Sequence, residues 1–241
     1  MRRPALLLLA PAALLAGCAS LPSSPPPLPD SFVPATDATA AEAYVSSDGF
    51  THAEHASYRV RVRTCTGYAT GTAFAIDEHT LVTNRHVVDE SVEVEVTSYD
   101  GHELEVVSTQ VDTEADLAVL TVDDTLDEWL AIADEESAKG DTVTVSGYPE
   151  GESLTTVSGP LRGTVDEVFG TDPDDVLLVR VPAAPGSSGS AVVNDKSEVV
   201  GVLYAIDADE DGWSYAVSLE SLTAMLDDTS MLDPVVGLCA E

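Results

Sequence analysis

The sequence predicts an all-β fold closed by one C-terminal helix. Three observations carry this. About a dozen short runs of strand texture lie between Tyr58 and Val217. Turn formers separate them, as at Asp100-Gly101, 147–151, 170–173 and Asp211-Gly212. No long stretch of helical periodicity intervenes before Ser218. Such a texture belongs to β-sandwiches or barrels.

The runs follow in order. In 58–63 Arg59, Arg61 and Arg63 share one face and Val60 and Val62 the other, a period of two that fits a half-buried strand. The next are 70–76, 80–83, 91–97, 103–111 and 117–122, then 142–146, 163–168, 176–181, 191–193, 199–205 and 213–217. In 218–227, Leu219, Leu222, Met225 and Leu226 fall at helical spacing, and Ser218 stands where an N-cap belongs. The tail beyond carries Pro234 and Gly237, which favour no regular structure, so its last dozen residues are expected to need a tether.

Ahead of the strands the texture differs. Arg2 and Arg3 precede an apolar run from Ala5 to Ala16, too short to span a bilayer but suited to a signal peptide. The run ends Leu15-Ala16-Gly17-Cys18, which resembles the bacterial lipobox, so residues 1–17 are expected to be removed and Cys18 to take the lipid. Residues 18–45 hold six prolines among Ser, Thr and Ala, and proline both fixes φ and removes a donor. They read as a lipid-anchored linker holding a domain, 46–241, off the membrane on the extracytoplasmic side of the cell envelope.

Of 241 residues, 10 are Lys or Arg and 43 are Asp or Glu, a formal charge of −33. That excludes nucleic acid as a partner, since phosphate binding needs clustered cations. It equally excludes electrostatic docking on an anionic membrane. An apolar fraction of 44% is enough for a core.

Three motifs stand in a telling order: Gly71-Thr72-Ala73-Phe74 with Thr83-Asn84-Arg85-His86-Val87, then Asp116-Leu117-Ala118-Val119-Leu120, then Gly186-Ser187-Ser188-Gly189-Ser190. A serine hydroxyl needs a base to act as nucleophile at neutral pH, and an imidazole is suited to that. A carboxylate on the far ring nitrogen fixes the tautomer. Together the motifs resemble the trypsin-like serine proteases, above all the branch of the HtrA/Deg proteases and membrane-anchored actinobacterial relatives, over about residues 58–220. The resemblance implies two antiparallel six-stranded β-barrels with a C-terminal helix. It implies Ser188 as nucleophile, His86 as base, Asp116 as its orienter, and an oxyanion hole from the N–H groups of Gly186 and Ser188. It places Pro182, Tyr204, Ala205 and Tyr215 around the primary pocket; none is charged, so a small to medium apolar substrate side chain is expected. The substrate is a protein or peptide, and neither cofactor nor metal is expected. His52, His55, His79 and His102 lie in polar surroundings and are expected to be solvated.

Two departures from the family pattern matter. Ser190 and Ala191 stand where the family has Gly and Pro, and a Cβ at 190 is expected to narrow the space beside the nucleophile. This keeps open the alternative of a catalytically weak or inactive fold serving as an envelope binding module. Ser187 replaces the Asp that digestive relatives pair with a newly cut N-terminus, so no zymogen cleavage is expected and other contacts must order the loop. No segment of PDZ size follows Asp227, so a protease domain without an appended peptide-sensing domain is expected. Lipidation of Cys18 leaves Cys65 and Cys239 as an even pair outside the cell, where disulfides persist, and the resembled actinobacterial proteases carry a comparable bridge.

Overall fold

The computed structural model describes residues 45–112, 114–166, 175–207 and 210–237. Signal segment, Cys18, residues 19–44 of the linker and Cys239 lie outside the described residues. The chain enters through a one-turn helix, α1 (His52–His55), started by a capping box in which the Thr51 hydroxyl accepts from Glu54 N–H and Glu54 accepts from Thr51 N–H.

The first half is one antiparallel sheet. Its strands are β1 (Ser57–Thr64), β2 (Tyr68–Ala75), β3 (Thr80–Thr83), β4 (Ser91–Thr97), β5 (Glu103–Leu104), β6 (Val106–Asp112) and β7 (Ala118–Val122), joined at the far edge by the tail strand β14 (Leu232–Pro234). The eight lie in the order β14-β6-β7-β3-β2-β1-β4-β5. In β1 the alternation is as expected: Val60 and Val62 are fully buried, while Arg61 and Arg63 are exposed and face Glu95 and Glu93 of β4.

The expected first six-stranded barrel is therefore not formed as a closed ladder. The run 103–111 breaks at Glu105, whose N–H donates to the Asp124 carboxylate at 2.8 Å and whose carbonyl accepts from Asp123 N–H at 3.0 Å. Residues 103–104 stay with β4 and those after 105 cross to β7, so covalent chain rather than a ladder joins the two sides.

The second half does close. Strands β8 (Thr142–Gly147), β9 (Thr155–Asp166), β10 (Asp175–Val179), β11 (Ala191–Val193), β12 (Val199–Ile206) and β13 (Ser214–Ser218) form a barrel in the order β10-β13-β12-β11-β8-β9. Only the end of β9 was legible in the sequence, because Gly159-Pro160 reads as a break. In the fold the pair makes the corner. Val143 faces Gly159, and a Cβ there would stand 1.9 Å from the Arg180 carbonyl oxygen. Pro160 needs no N–H, and its carbonyl accepts from Arg180 N–H at 3.1 Å. One strand thus serves β8 with its first part and β10 with its second.

Helix α3 (Leu219–Asp227) follows β13, with the Ser218 hydroxyl accepting from Ser221 N–H at 3.2 Å and Leu219, Leu222 and Met225 buried. The tail differs from expectation. Leu232–Pro234 pairs with Gln110–Asp112, and Pro234 is tolerated because it sits on the outer edge. Each half has its own apolar interior. A third cluster joins them, setting Phe74, Val82 and Leu117 of the first against Val193, Val202 and Val217 of the second. Phe74 is fully buried there, and truncating such a side chain to Ala costs about 3–5 kcal/mol.

Candidate active site

His86 is the second residue of a single helical turn, α2 (Arg85–Val88), pinned by the buried Val87 and Val88. Asn84 before it makes no cap; its amide instead donates to the Asp116 carbonyl at 2.8 Å. Asp116 lies in the turn between β6 and β7. Asp112 shapes that turn by accepting from Glu114 N–H at 2.7 Å and Ala115 N–H at 3.1 Å, and the buried Leu117 anchors its end. The Asp116 carboxylate takes two bonds from one residue: His86 N–H at 2.9 Å and the ring Nδ1 at 2.5 Å. Its side chain is 7% exposed and that of His86 48%, so the pair has a dry end and an open end. A neutral ring that donates from Nδ1 to a carboxylate has Nε2 as its acceptor.

Ser188 stands in the tight turn between Pro185 and Ser190. Gly186 and Gly189 hold φ of 95° and 88°, the left-handed region open to glycine. Space demands glycine too: a Cβ on Gly189 would lie 2.0 Å from the Thr72 carbonyl oxygen, and one on Gly186 2.6 Å from that of Tyr148. The Ser188 hydroxyl donates to the Tyr204 carbonyl at 3.3 Å, and among the described residues no hydrogen bond joins it to His86. The N–H groups of Gly186 and Ser188 have no protein acceptor among the described residues. Ser190 is fully buried; its hydroxyl donates to the Ser187 carbonyl at 2.7 Å and occupies the space above Gly147. It points into the barrel and does not line the cavity beside Ser188.

That cavity, of about 260 Å³, is lined by Ala183, Ala184, Leu203, Tyr204, Ala205 and Ile206. Of the residues expected around it, Tyr204 and Ala205 are among its walls. Pro182 and Tyr215 are not, and the Tyr215 hydroxyl donates to Asp207 at 2.7 Å. Ala183 and Leu203 fall within the segments that the resemblance places there, whereas Ile206 carried no signal beyond being apolar. A larger open groove of about 580 Å³, between residues 132–136 and α3, shares no residue with this site.

Of the remaining histidines, His79 and His102 are exposed as expected, and His55 is not. His55 is 9% exposed in its side chain, with Nδ1 3.1 Å from Glu128 and Nε2 2.9 Å from Asp48. Its ring packs 4.6 Å from that of Tyr99. Burial pulls the His55 pKa down, but the two carboxylates outweigh it and the net shift is upward. Asp48 is held below the usual carboxylate range by the Ser46 hydroxyl and the Phe50 N–H. His52 shares Glu128 at 2.7 Å, so one carboxylate ties α1 to the segment after β7. Among the described residues no group of three or more His, Cys, Asp or Glu has the arrangement of a metal site. Near Ser188, burial pushes the Tyr148 hydroxyl up to about 12, which keeps it neutral as a donor to the Ser57 carbonyl.

A model of the trypsin-like peptidase domain matches residues 71–202, more than half of the chain. The chain belongs to the trypsin-like peptidase family. Serine protease Rv3671c of Mycobacterium tuberculosis is 27% identical over 184 residues, covering 73% of this chain and 46% of the relative. A probable periplasmic serine endoprotease, DegP-like, of Rhizobium meliloti is 36% identical over 141 residues, covering 57% of this chain and 28% of the relative. The chain thus spans less than half the length of these curated relatives. Among solved structures, the active form of the M. tuberculosis Rv3671c protease superposes with a TM-score of 0.68 at 26% identity, covering 77% of this chain and 85% of that one. The trypsin-like peptidase fold accounts for the placement described above, with His86 and Asp116 on the first half and Ser188 on the second.

Proposed function

We propose that the chain is an exported serine endopeptidase in which His86, Asp116 and Ser188 form the catalytic triad. The support for this is a carboxylate-held imidazole on the first half and, on the second, a serine on a tight turn whose two N–H groups lack an acceptor among the described residues, with Gly189 of that turn packed against Thr83, three residues before His86. Ser188 Oγ attacks the substrate carbonyl carbon as its proton passes to His86 Nε2. Asp116 keeps the proton on Nδ1 and stabilises the imidazolium. The oxyanion is received by the N–H groups of Gly186 and Ser188, a donor pair in which each member is commonly worth about 3–4 kcal/mol. His86 then gives its proton to the leaving amine, and an acyl-enzyme on Ser188 remains. Water adds by the reverse steps, giving a carboxylic acid and free Ser188. The bond from Ser188 to Tyr204 is that of a resting site, since such contacts tighten toward the base when substrate binds. The apolar cavity of about 260 Å³ fits a small to medium apolar side chain. The test is a fluorophosphonate active-site probe: wild type is expected to label and Ser188→Ala not. A folded wild type that neither labels nor cleaves peptide is the outcome that favours a silent binding module instead.

The same reading includes residues 1–17 as signal peptide, Cys18 as lipid acceptor, 18–45 as linker and 46–241 as protease domain. Its support is the Leu-Ala-Gly-Cys ending and the periplasmic designation of relatives such as the DegP-like proteins. Cys18→Ser is expected to release the protein from the membrane fraction or leave it unprocessed; normal processing and retention would refute the anchor. It also includes a Cys65–Cys239 disulfide. Cys65 is in the disulfide-bonded state. Two residues before Cys239, a Cβ on Gly237 would lie 2.1 Å from the Ser91 carbonyl oxygen, and Ser91 pairs with Thr64, the neighbour of Cys65.

A further inference from the structure

We infer that Thr72 is a positioning residue for catalysis: its side-chain hydroxyl holds the nucleophile turn in the form that presents both oxyanion donors. The inference rests on the peptidase reading above and goes beyond it, because it says what orders the turn where Ser187 stands before the proposed nucleophile.

In the nucleophile turn the four carbonyls of residues 185–188 are all anchored. The Pro185 carbonyl accepts from Glu150 N–H at 2.6 Å. The Gly186 carbonyl accepts from the Thr72 hydroxyl at 2.8 Å. The Ser187 carbonyl accepts from Ser190 twice, from N–H at 3.1 Å and from the hydroxyl at 2.7 Å. The Ser188 carbonyl accepts from Thr72 N–H at 2.8 Å. All the described peptide bonds are trans. In a trans peptide the C=O and N–H of one unit point in opposite directions. Fixing the Pro185 carbonyl therefore aims the Gly186 N–H away from residue 150, and fixing the Ser187 carbonyl aims the Ser188 N–H away from residue 190. Those two N–H groups are the ones left without an acceptor.

Thr72 holds two of these carbonyls directly, those of Gly186 and Ser188, and reaches the anchor of a third, that of Pro185, through Tyr148. It is fully buried on β2, in the first half of the fold, yet its bonds reach the nucleophile turn of the second. Its hydroxyl gives its proton to the Gly186 carbonyl and accepts from Tyr148 N–H at 3.0 Å. Tyr148 opens the short turn Pro149–Gly151, whose Glu150 holds the Pro185 carbonyl. Glu150 itself sits in the left-handed region at φ 55° and ψ 14°, a strained conformation that the surrounding contacts must offset. One hydroxyl thus couples the turn that supplies a carbonyl anchor to the turn that needs it. In digestive relatives an Asp before the nucleophile does this work through an ion pair; here that position is Ser187, whose hydroxyl accepts from Ala184 N–H at 3.3 Å.

The test compares Thr72→Val, which keeps the shape and removes the hydroxyl, with Thr72→Ser, which restores it. Peptide cleavage is measured per site titrated with a fluorophosphonate, using one fluorogenic peptide with valine before the scissile bond. Affinity for the corresponding peptide aldehyde, which places an oxyanion in the hole, is measured beside affinity for the product acid. Thr72→Val is expected to lower kcat roughly 10- to 100-fold with KM within about threefold, since an oxyanion donor that loses its aim is lost in part. Aldehyde affinity should fall in parallel, product affinity should not, and Thr72→Ser should recover most of both. A role confined to stability would lower the melting temperature or the titrated fraction and leave per-site kcat and aldehyde affinity alone; that result overturns the inference. If Thr72→Val yields no folded protein, Thr72→Ala, which leaves room for a water at the same groups, is read by the same split. An inactive, unlabelled wild type overturns the peptidase reading and this inference together, whereas an active wild type matched by Thr72→Val overturns this inference alone.

Discussion

The two halves of the molecule hold their share of the proposed active site in opposite ways. In the first half the proposed base and its carboxylate are bound to each other and to their own turn: His86 donates twice to Asp116, and Asn84 closes the circuit on the Asp116 carbonyl. Among the described residues, nothing from the second half enters that set of bonds. In the second half the nucleophile turn is stitched largely by groups outside itself, with Thr72 of β2 and Glu150 of the 149–151 turn holding three of its carbonyls. An open sheet suffices for the first task because a one-turn helix and a loop do the positioning. The second needs the closed barrel and its apolar seam to the first half, because bonds between halves last only while the halves stay packed.

The largest effects should come from the groups that react, and these should not distinguish the halves. Ser188→Ala and His86→Ala are each expected to lower kcat by about four to six orders of magnitude, and the double variant little further, since they act as a unit. Asp116→Asn should follow at about 10⁴-fold, because a carboxamide cannot accept both His86 donors and keep the tautomer. Steady-state kinetics with active-site titration reads all three, and Asp116→Asn activity within tenfold of wild type would show that the first-half pair is not required.

Gly189→Ala should break the contact between the halves. The added Cβ meets the Thr72 carbonyl oxygen and the Thr83 hydroxyl at a left-handed φ, so roughly 2–5 kcal/mol of stability and most of the activity should be lost. Urea unfolding with a labelling assay measures it; an unchanged midpoint would show that the seam tolerates displacement. Next comes the tail. Cys65→Ser with Cys239→Ser should lower stability by about 3–5 kcal/mol if the bridge closes that long loop, while β14 retains some hold through its pairing with β6. Two free thiols in the unreduced wild type would remove the basis for this expectation.

The smallest effect concerns the α1 attachment to the first half. His55 has a raised pKa in the fold, so its contribution is present below its ordinary value near 6.5 and lost as pH rises through the raised value. His55→Gln should therefore lower Tm by about 2–4 °C at pH 5.5 and by less at pH 8.5, where both proteins lack the charge between Asp48 and Glu128. Equal losses at both pH values would reduce the cluster to packing against Tyr99.

Most strands could be read along the chain because their period of two and their turn residues are local properties, and the same holds for α3 with its Ser218 cap. The order of the motifs around His86, Asp116 and Ser188 was likewise legible, because short spacings and glycines record what a turn requires. What escaped was set by distant groups. The corner at Gly159-Pro160 depends on where the Arg180 carbonyl passes, and the break at Glu105 depends on Asp124. Strand β14 depends on an open edge of β6, and the burial of His55 on carboxylates at 48 and 128. Ser190 looked like an obstruction from its Cβ alone, yet its direction is decided by the space above Gly147. Thr72 carried no sign of its bonds to Gly186 and Tyr148, residues more than seventy positions away. Local chain chemistry determined the elements and the residue types of the candidate site; only tertiary packing decided which edges closed and where each hydroxyl and amide points, since a hydrogen bond depends on the position of its partner in space and not along the chain.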